Sequence, residues 1–237
     1  MCRLLAFSVR GEIDKEIVNS FINAAKNDVY FKYGSHSHGW GITAIVWKSG
    51  RPKVIYYKSV EPIYEDETFT RIIDLLKGDK ISGIIHARKA GKDFLIGLRH
   101  NHPYHIKTQT HDLYFAHNGS INRKAFQNPS YPSTDSYLFF LEIVNRLDKQ
   151  EIRNAYRDAV NALKDYATSL NSALLSYNDY EGDKIFIAYY YNKARMREME
   201  EYYKLYRYEN YIFSSTVNYY LGKKGEELEF NTIYEIY

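Results

Sequence analysis

Cys2 is the only cysteine in a chain of 237 residues, and it stands next to the initiator in the stretch MCRLLAF. The residue after Met1 is small, which is compatible with removal of the methionine. Cys2 would then carry a thiol and a free α-amine together. A thiol titrates near ~8.5 and an α-amine near ~7.7 to 8, so a proton passes between them at little cost. One residue can thus supply a nucleophile and its base. The plain alternative is a buried structural cysteine on an amino-terminal strand, since free cysteine is among the most buried residue types. Taken alone, Cys2 favours that alternative.

Four further stretches hold residue types that could act with a thiol: HGWG at 38–41, HAR at 86–88, HP at 102–103 with HNG at 117–119, and STDS at 133–136. Each has an ordinary reading. Arg88 alone is a solvated or ion-paired cation, and HNGS alone is a turn. STDS alone caps a helix, and His102-Pro103 alone is a loop. All eight histidines fall between His36 and His117, which places the chemistry in the first half.

The elements that must position these groups follow from hydrophobic period. Residues 3–9 read as a strand ended by Gly11. Ile17, Val18, Phe21, Ile22 and Ala25 recur at helical spacing over 15–26. ITAIVW and KVIYYKS read as a hairpin turning at SGRP. An amphipathic helix is predicted over 68–77, and a strand over 81–87 carries His86 and Arg88 into a loop. HDLYFAHNGSI reads as a strand entering an Asn-Gly turn. Ser133, Thr134 and Asp135 open a helix, and a second long helix is predicted over 150–170. NSALLSY, DKIFIAYYY and NYIFSSTV are read as strands. No internal repeat, low-complexity tract or linker divides the chain, so one domain over 1–237 is expected. It would be of mixed α and β with largely antiparallel sheets.

Composition excludes several classes. The 32 basic and 29 acidic residues give a formal net charge of +3, too even a balance for a nucleic-acid partner. A single cysteine forbids an intrachain disulfide and is consistent with a reducing compartment. The sequence has no basic leader followed by an apolar stretch. It also has no apolar run near the ~18 to 20 residues of a membrane span. The expectation is a cytoplasmic protein without membrane contact. Many of the twenty-five tyrosines crowd the last third, and they are read as half-buried strand and helix surface.

In the order Cys2, HGWG, HAR, HNG, STDS the motifs resemble the class II, or N-terminal nucleophile, glutamine amidotransferases. The small stand-alone branch without an attached synthase is the nearest in pattern. The motifs span about residues 2 to 145. The resemblance implies an α+β fold, a four-layer αββα sandwich with two largely antiparallel sheets. It implies a glutaminase in which Cys2 attacks the side-chain amide of glutamine and passes through a thioester. Asn118 and Gly119 are then the oxyanion hole, Arg88 holds the substrate α-carboxylate, Asp135 its α-ammonium, and His102 lines the pocket. No cofactor and no metal is implied. The partners are glutamine or a γ-glutamyl compound, and a separate synthase subunit if the ammonia has an acceptor. The sequence departs from the family pattern at His38, His100 and Gly91.

Three other readings stay open, one of them a catalytically idle relative acting as a scaffold. A stand-alone γ-glutamyl hydrolase would need the same residues and no synthase. A metal-binding module could use His36 and His38 with His100, His102 and His105, although loop histidines without carboxylates or cysteines seldom close a site.

Overall fold

An apolar run without polar alternation, such as LLAF, has to be covered on both faces, and β1 (Cys2–Glu12) is covered in that way through residue 8. In the computed structural model, which describes residues 2–31 and 34–237, this strand lies inside a seven-stranded sheet. Next come α1 (Lys15–Lys26), β2 (Trp40–Lys48), β3 (Arg51–Ser59), α2 (Glu67–Leu75) and β4 (Lys77–Arg88). β5 (Tyr104–Lys107), β6 (Asp112–Asn118), α3 (Asp135–Val144), α4 (Ile152–Leu163), β7 (Asn171–Asn178) and β8 (Gly182–Tyr189) follow. The chain then runs through α5 (Glu200–Tyr203), β9 (Leu205–Tyr208), β10 (Tyr211–Ser214), α6 (Ser215–Tyr220), β11 (Glu226–Glu227) and β12 (Thr232–Ile236). The expected loss of Met1 lies outside the described residues.

The first sheet has the order β11-β9-β10-β1-β4-β2-β3 and the second β12-β8-β7-β6-β5. Pairing in both is antiparallel. Three apolar clusters separate the layers. Leu5, Phe7, Ile42 and Ile85 meet Ile17, Phe21 and Phe69 of α1 and α2 on one outer face. Leu4, Ala6 and Ile84 meet Ala116, Ala173 and Ile187 between the sheets. Phe115 and Leu174 meet Phe139, Phe140, Tyr156 and Val160 of α3 and α4 on the other outer face. The result is the αββα sandwich. No helix among the described residues is long and apolar enough to cross a membrane.

Local chemistry explains most boundaries. Asp14 caps α1 by accepting the Glu16 and Ile17 amides, and Thr134 caps α3 by accepting the Tyr137 amide. Ser49 and Gly50, both with positive φ, make the two-residue turn between β2 and β3. Three expectations need correction. The helix predicted over 68–77 ends at Leu75, because the chain must already be extended at Lys77 to pair with Glu12. The helix predicted over 150–170 stops at Leu163 and a short turn to Tyr166. Beyond it Ala167 and Ser169 bridge to Ile121 and Tyr191, which holds the backbone extended. NYIFSSTV is strand only to Ser214 and then turns into α6, with Thr216 and Val217 buried in helical form.

Candidate active site

Register in the first sheet brings Cys2 and the HAR motif together. Cys2 opens β1 and pairs with Arg88, the last residue of β4, and Leu4 pairs with His86. Directly paired residues of an antiparallel ladder share a face, so Cys2, His86 and Arg88 point the same way. The HGWG stretch supports this end of the strand and stays out of the cavity. The His38–Gly39 backbone bonds to Arg88 through His38 N–H to Arg88 O and Arg88 N–H to Gly39 O, each 2.9 Å. His38 Nδ1 accepts the Ala90 amide at 3.0 Å. A Cβ on Gly39, whose φ is +98°, would lie 2.2 Å from Asn101 Nδ2. One on Gly41 would lie 2.3 Å from His102 O. Both glycines therefore allow the 101–102 loop to lie against the sheet.

The second sheet faces this strand end with Asn118, the last residue of β6. Its Oδ1 accepts the Cys2 N–H at 2.9 Å, so the Asn118 amide group is held beside the thiol-bearing residue. A Cβ at Gly119 would sit 2.1 Å from Ser169 O and 2.8 Å from His117 Nε2, and only glycine can pass there. His117 is fixed on both sides. Nε2–H donates to Ser169 O at 3.0 Å, and Nδ1 accepts from the Ser136 hydroxyl at 2.9 Å. At the start of α3, Asp135 accepts the Ile121 amide at 2.7 Å and the Ser136 amide at 3.0 Å, tying the turn after Gly119 to the helix.

Five of the six expected site residues, Cys2, Arg88, His102, Gly119 and Asp135, line one cavity of about 520 Å³, and the sixth, Asn118, is bonded to Cys2. A larger depression of about 710 Å³ near Arg10, Glu12 and Tyr237 contains no thiol. Arg88 is 5% exposed, and its Nη1 donates to Leu95 O at 2.8 Å. His102 is 3% exposed, and neither of its ring nitrogens has a partner. Burial, with the nearby His86 and Arg88 charges, pushes its pKa well below the usual value and keeps it neutral.

His86 is the residue whose importance the sequence reading missed. Its ring lies 4.3 Å from that of His102, centroid to centroid, and Nε2 donates to His117 O at 3.3 Å across the sheets. Burial pushes the Cys2 thiol up, but nearby positive charge, that of His86 and Arg88 included, overcomes it and holds the thiol well below its ordinary pKa. The available signal was position: His86 lies two residues before Arg88, on the same face of the strand.

The histidines proposed as metal ligands go separate ways. His36 Nε2 binds Asp28 at 2.8 Å and His105 Nε2 binds Asp112 at 2.9 Å. Among the described residues no group of three or more His, Cys, Asp or Glu side chains is placed to hold a metal ion.

Residues 1–186 match the family model of the class II glutamine amidotransferases, and the chain belongs to that family. No curated protein matches it by sequence. Among solved structures it is similar to an allosteric regulatory enzyme of purine biosynthesis, with a TM-score of 0.55 and 15% identity. That similarity covers 97% of this chain and 44% of the other, so the chain spans less than half the length of that enzyme. It is also similar to a glutamine aminotransferase class-II domain protein from Silicibacter pomeroyi, with a TM-score of 0.51 and 15% identity. Here 99% of this chain and 94% of the other are covered. At such identities the similarity concerns the fold.

Proposed function

We propose that the chain, as one domain over 1–237, hydrolyses the side-chain amide of glutamine through a thioester on Cys2. Loss of Met1 frees the Cys2 α-amine, which takes the thiol proton and later gives it to the leaving nitrogen. Sulfur attacks the amide carbon, and the oxygen, now negative, is met by the Asn118 side-chain N–H and the Gly119 backbone N–H. Removing one such donor lowers the rate about 100- to 1000-fold. Collapse of the tetrahedral intermediate releases ammonia, and water then cleaves the thioester to give glutamate. Arg88 pairs with the substrate α-carboxylate and Asp135 with its α-ammonium. Plain amides, which leave both charges unmatched, are poor substrates. His102 lines the pocket as a neutral ring.

The observation that carries this reading is the cross-strand pairing of Cys2 with Arg88 at a cavity whose opposite wall holds Gly119 and Asp135. The ammonia passes to an acceptor, held by a separate synthase subunit, in the cytoplasm. A γ-glutamyl hydrolase that needs no acceptor uses the same residues. Neither reading needs a cofactor, a metal, a nucleic acid or a membrane. The test combines intact mass with a glutaminase assay. The expected protein lacks Met1 and releases ammonia from glutamine, and Cys2→Ala loses turnover with its urea midpoint nearly unchanged. A Cys2→Ala protein with full activity would refute the proposal.

A further inference from the structure

Cys2 stands where its strand has a partner strand on one side only. β4 pairs with β1 from Cys2 onward, whereas β10 pairs with it at Leu5, Ala6 and Phe7. Nearer the chain start, side chains replace a strand on that second side. The Leu4 N–H donates to the Ser214 hydroxyl at 3.0 Å, and Cys2 O accepts from the Tyr202 hydroxyl at 3.1 Å. Main-chain groups two residues apart on a strand face the same side, so Tyr202 serves Cys2 as Ser214 serves Leu4. Cys2 is thus held at both ends of its main chain, the nitrogen by Asn118 Oδ1 and the carbonyl by Tyr202. A residue that supplies both nucleophile and base has to keep sulfur and α-amine in one fixed relation. Misplacing a reacting group by about 1 Å costs about 100-fold in rate.

Tyr202 is itself fixed. It is 1% exposed, in contrast to the half-buried surface expected for the tyrosines of this stretch. The Arg3 guanidinium lies 3.9 Å from its ring centre. Arg3 Nη1 and the Ser215 hydroxyl donate to Tyr202 O at 2.9 and 3.3 Å. The rings of Phe31 and Tyr203 pack on it, with centroids 5.4 and 4.9 Å away. Burial pushes its pKa well above the usual value, so the hydroxyl keeps its proton and is the donor. Tyr202 therefore links the buried Arg3–Asp28 ion pair to the thiol-bearing residue. The family match ends at residue 186, so the matched region does not contain Tyr202.

We infer that Tyr202 is a positioning residue for the nucleophile: by donating to the Cys2 carbonyl it fixes the α-amine against the thiol once Met1 is gone. This inference rests on the proposed thiol chemistry and adds a residue to it. Tyr202 does not line the cavity and acts through the Cys2 main chain.

Tyr202→Phe in the processed full-length enzyme tests it, since the change removes the hydroxyl and keeps the ring beneath Arg3. Tyr156→Phe is the matched control. Tyr156 is also fully buried, but its hydroxyl is bonded to Ser172 Oγ at 2.6 Å in the outer cluster under α3 and α4. On glutamine, Tyr202→Phe is expected to lower kcat at least about tenfold with KM within about twofold of wild type. Alkylation of Cys2 by iodoacetamide, which needs the thiolate and not the base, is expected to stay within about twofold. Tyr156→Phe should keep the wild-type kcat. Ser215→Ala, which removes one bond to Tyr202 O, should lower kcat by less and leave KM unchanged. A wild-type kcat in Tyr202→Phe overturns the inference, as does a raised KM at unchanged kcat. So do equal losses in the two tyrosine variants, or faster alkylation of Cys2, the mark of a loosened fold. If Tyr202→Phe does not fold, a wild-type kcat in Ser215→Ala overturns it. In all these cases the thiol mechanism survives, because the wild-type enzyme still releases ammonia. A wild-type enzyme that releases none overturns the mechanism and the inference together.

Discussion

Cys2 and Arg3 are neighbours in sequence, yet they belong to two buried polar centres that are built in opposite ways. Around Arg3 the charges are matched. The Asp28 carboxylate accepts from Arg3 Nε, from His36 Nε2 at 2.8 Å, from the Tyr30 amide at 3.0 Å and from the Thr216 hydroxyl at 2.5 Å. The Arg3 guanidinium also lies over the Tyr202 ring and donates to Tyr202 O. Arg3 Nη2 and His36 Nδ1 are the unmatched atoms. Around Cys2 the balance is reversed. Both nitrogens of His102 and Nδ1 of His86 have no partner, and Arg88 is bonded to a neutral carbonyl. Buried polar groups in folded proteins are nearly always satisfied. A centre that leaves several open beside a cavity is shaped for a molecule that enters it, whereas a closed centre holds the fold together.

The comparison breaks first on stability. Burial pushes the Asp28 carboxyl up, but the Arg3 charge and the His36 bond outweigh it and hold its pKa well below the carboxylate range. Asp28→Asn leaves the buried Arg3 charge uncompensated and is expected to cost about 3–5 kcal/mol in urea unfolding. A folded pKa below the unfolded one means that the stabilisation is complete above the unfolded value near ~3.9 and fades as pH falls through and below it. The wild-type protein therefore loses stability in acid, and the variant, without this titrating group, shows a flatter acid limb. If Asp28→Asn unfolds at the wild-type urea midpoint, the Arg3 centre is not what holds this corner of the fold.

In the open centre the larger effects are on binding. Arg88→Lys keeps the charge but loses the planar fork, and its shorter reach also weakens the contact with Leu95 O. KM for glutamine is expected to rise about tenfold or more while kcat changes less, because the lost contact acts on bound substrate and transition state alike. Steady-state kinetics on glutamine measures this directly. An unchanged KM would remove Arg88 from substrate binding and leave its place at the cavity as architecture alone.

Much of this was legible in the sequence, and the gaps have physical causes. Strands and caps depend on local pattern, so β1, α1, the Ser49–Gly50 hairpin and the Thr134 cap could be read from residues alone. The helix predicted to 170 was wrong because what bends the chain at Ala167 and Ser169 is pairing with Ile121 and Tyr191, which no window around 167 contains. The same holds for the histidines. His36 and His38 look alike in HSHGWG, yet one joins the Asp28 centre and the other braces Ala90. Neither lies in a strand, and only the tertiary contacts of their loop say which.

The register between β1 and β4 makes His86 the finest test of the open centre. Both His86 and His102 are buried and in ring contact, but His86 alone shares a strand and a face with Arg88 and acts on the Cys2 thiol by charge. Removing the imidazole leaves the burial that favours the neutral thiol with less to oppose it, so the thiol pKa must rise. In His86→Gln the pH midpoint for alkylation of Cys2 by iodoacetamide is expected to move up, since the thiolate is the reacting form. His102→Gln, which removes a neutral ring, is expected to move it less. Equal shifts in the two variants would mean that the pair perturbs the thiol through packing and not through the charge of His86. The distinction drawn between the closed and open centres would then rest on Arg88 and the cavity alone.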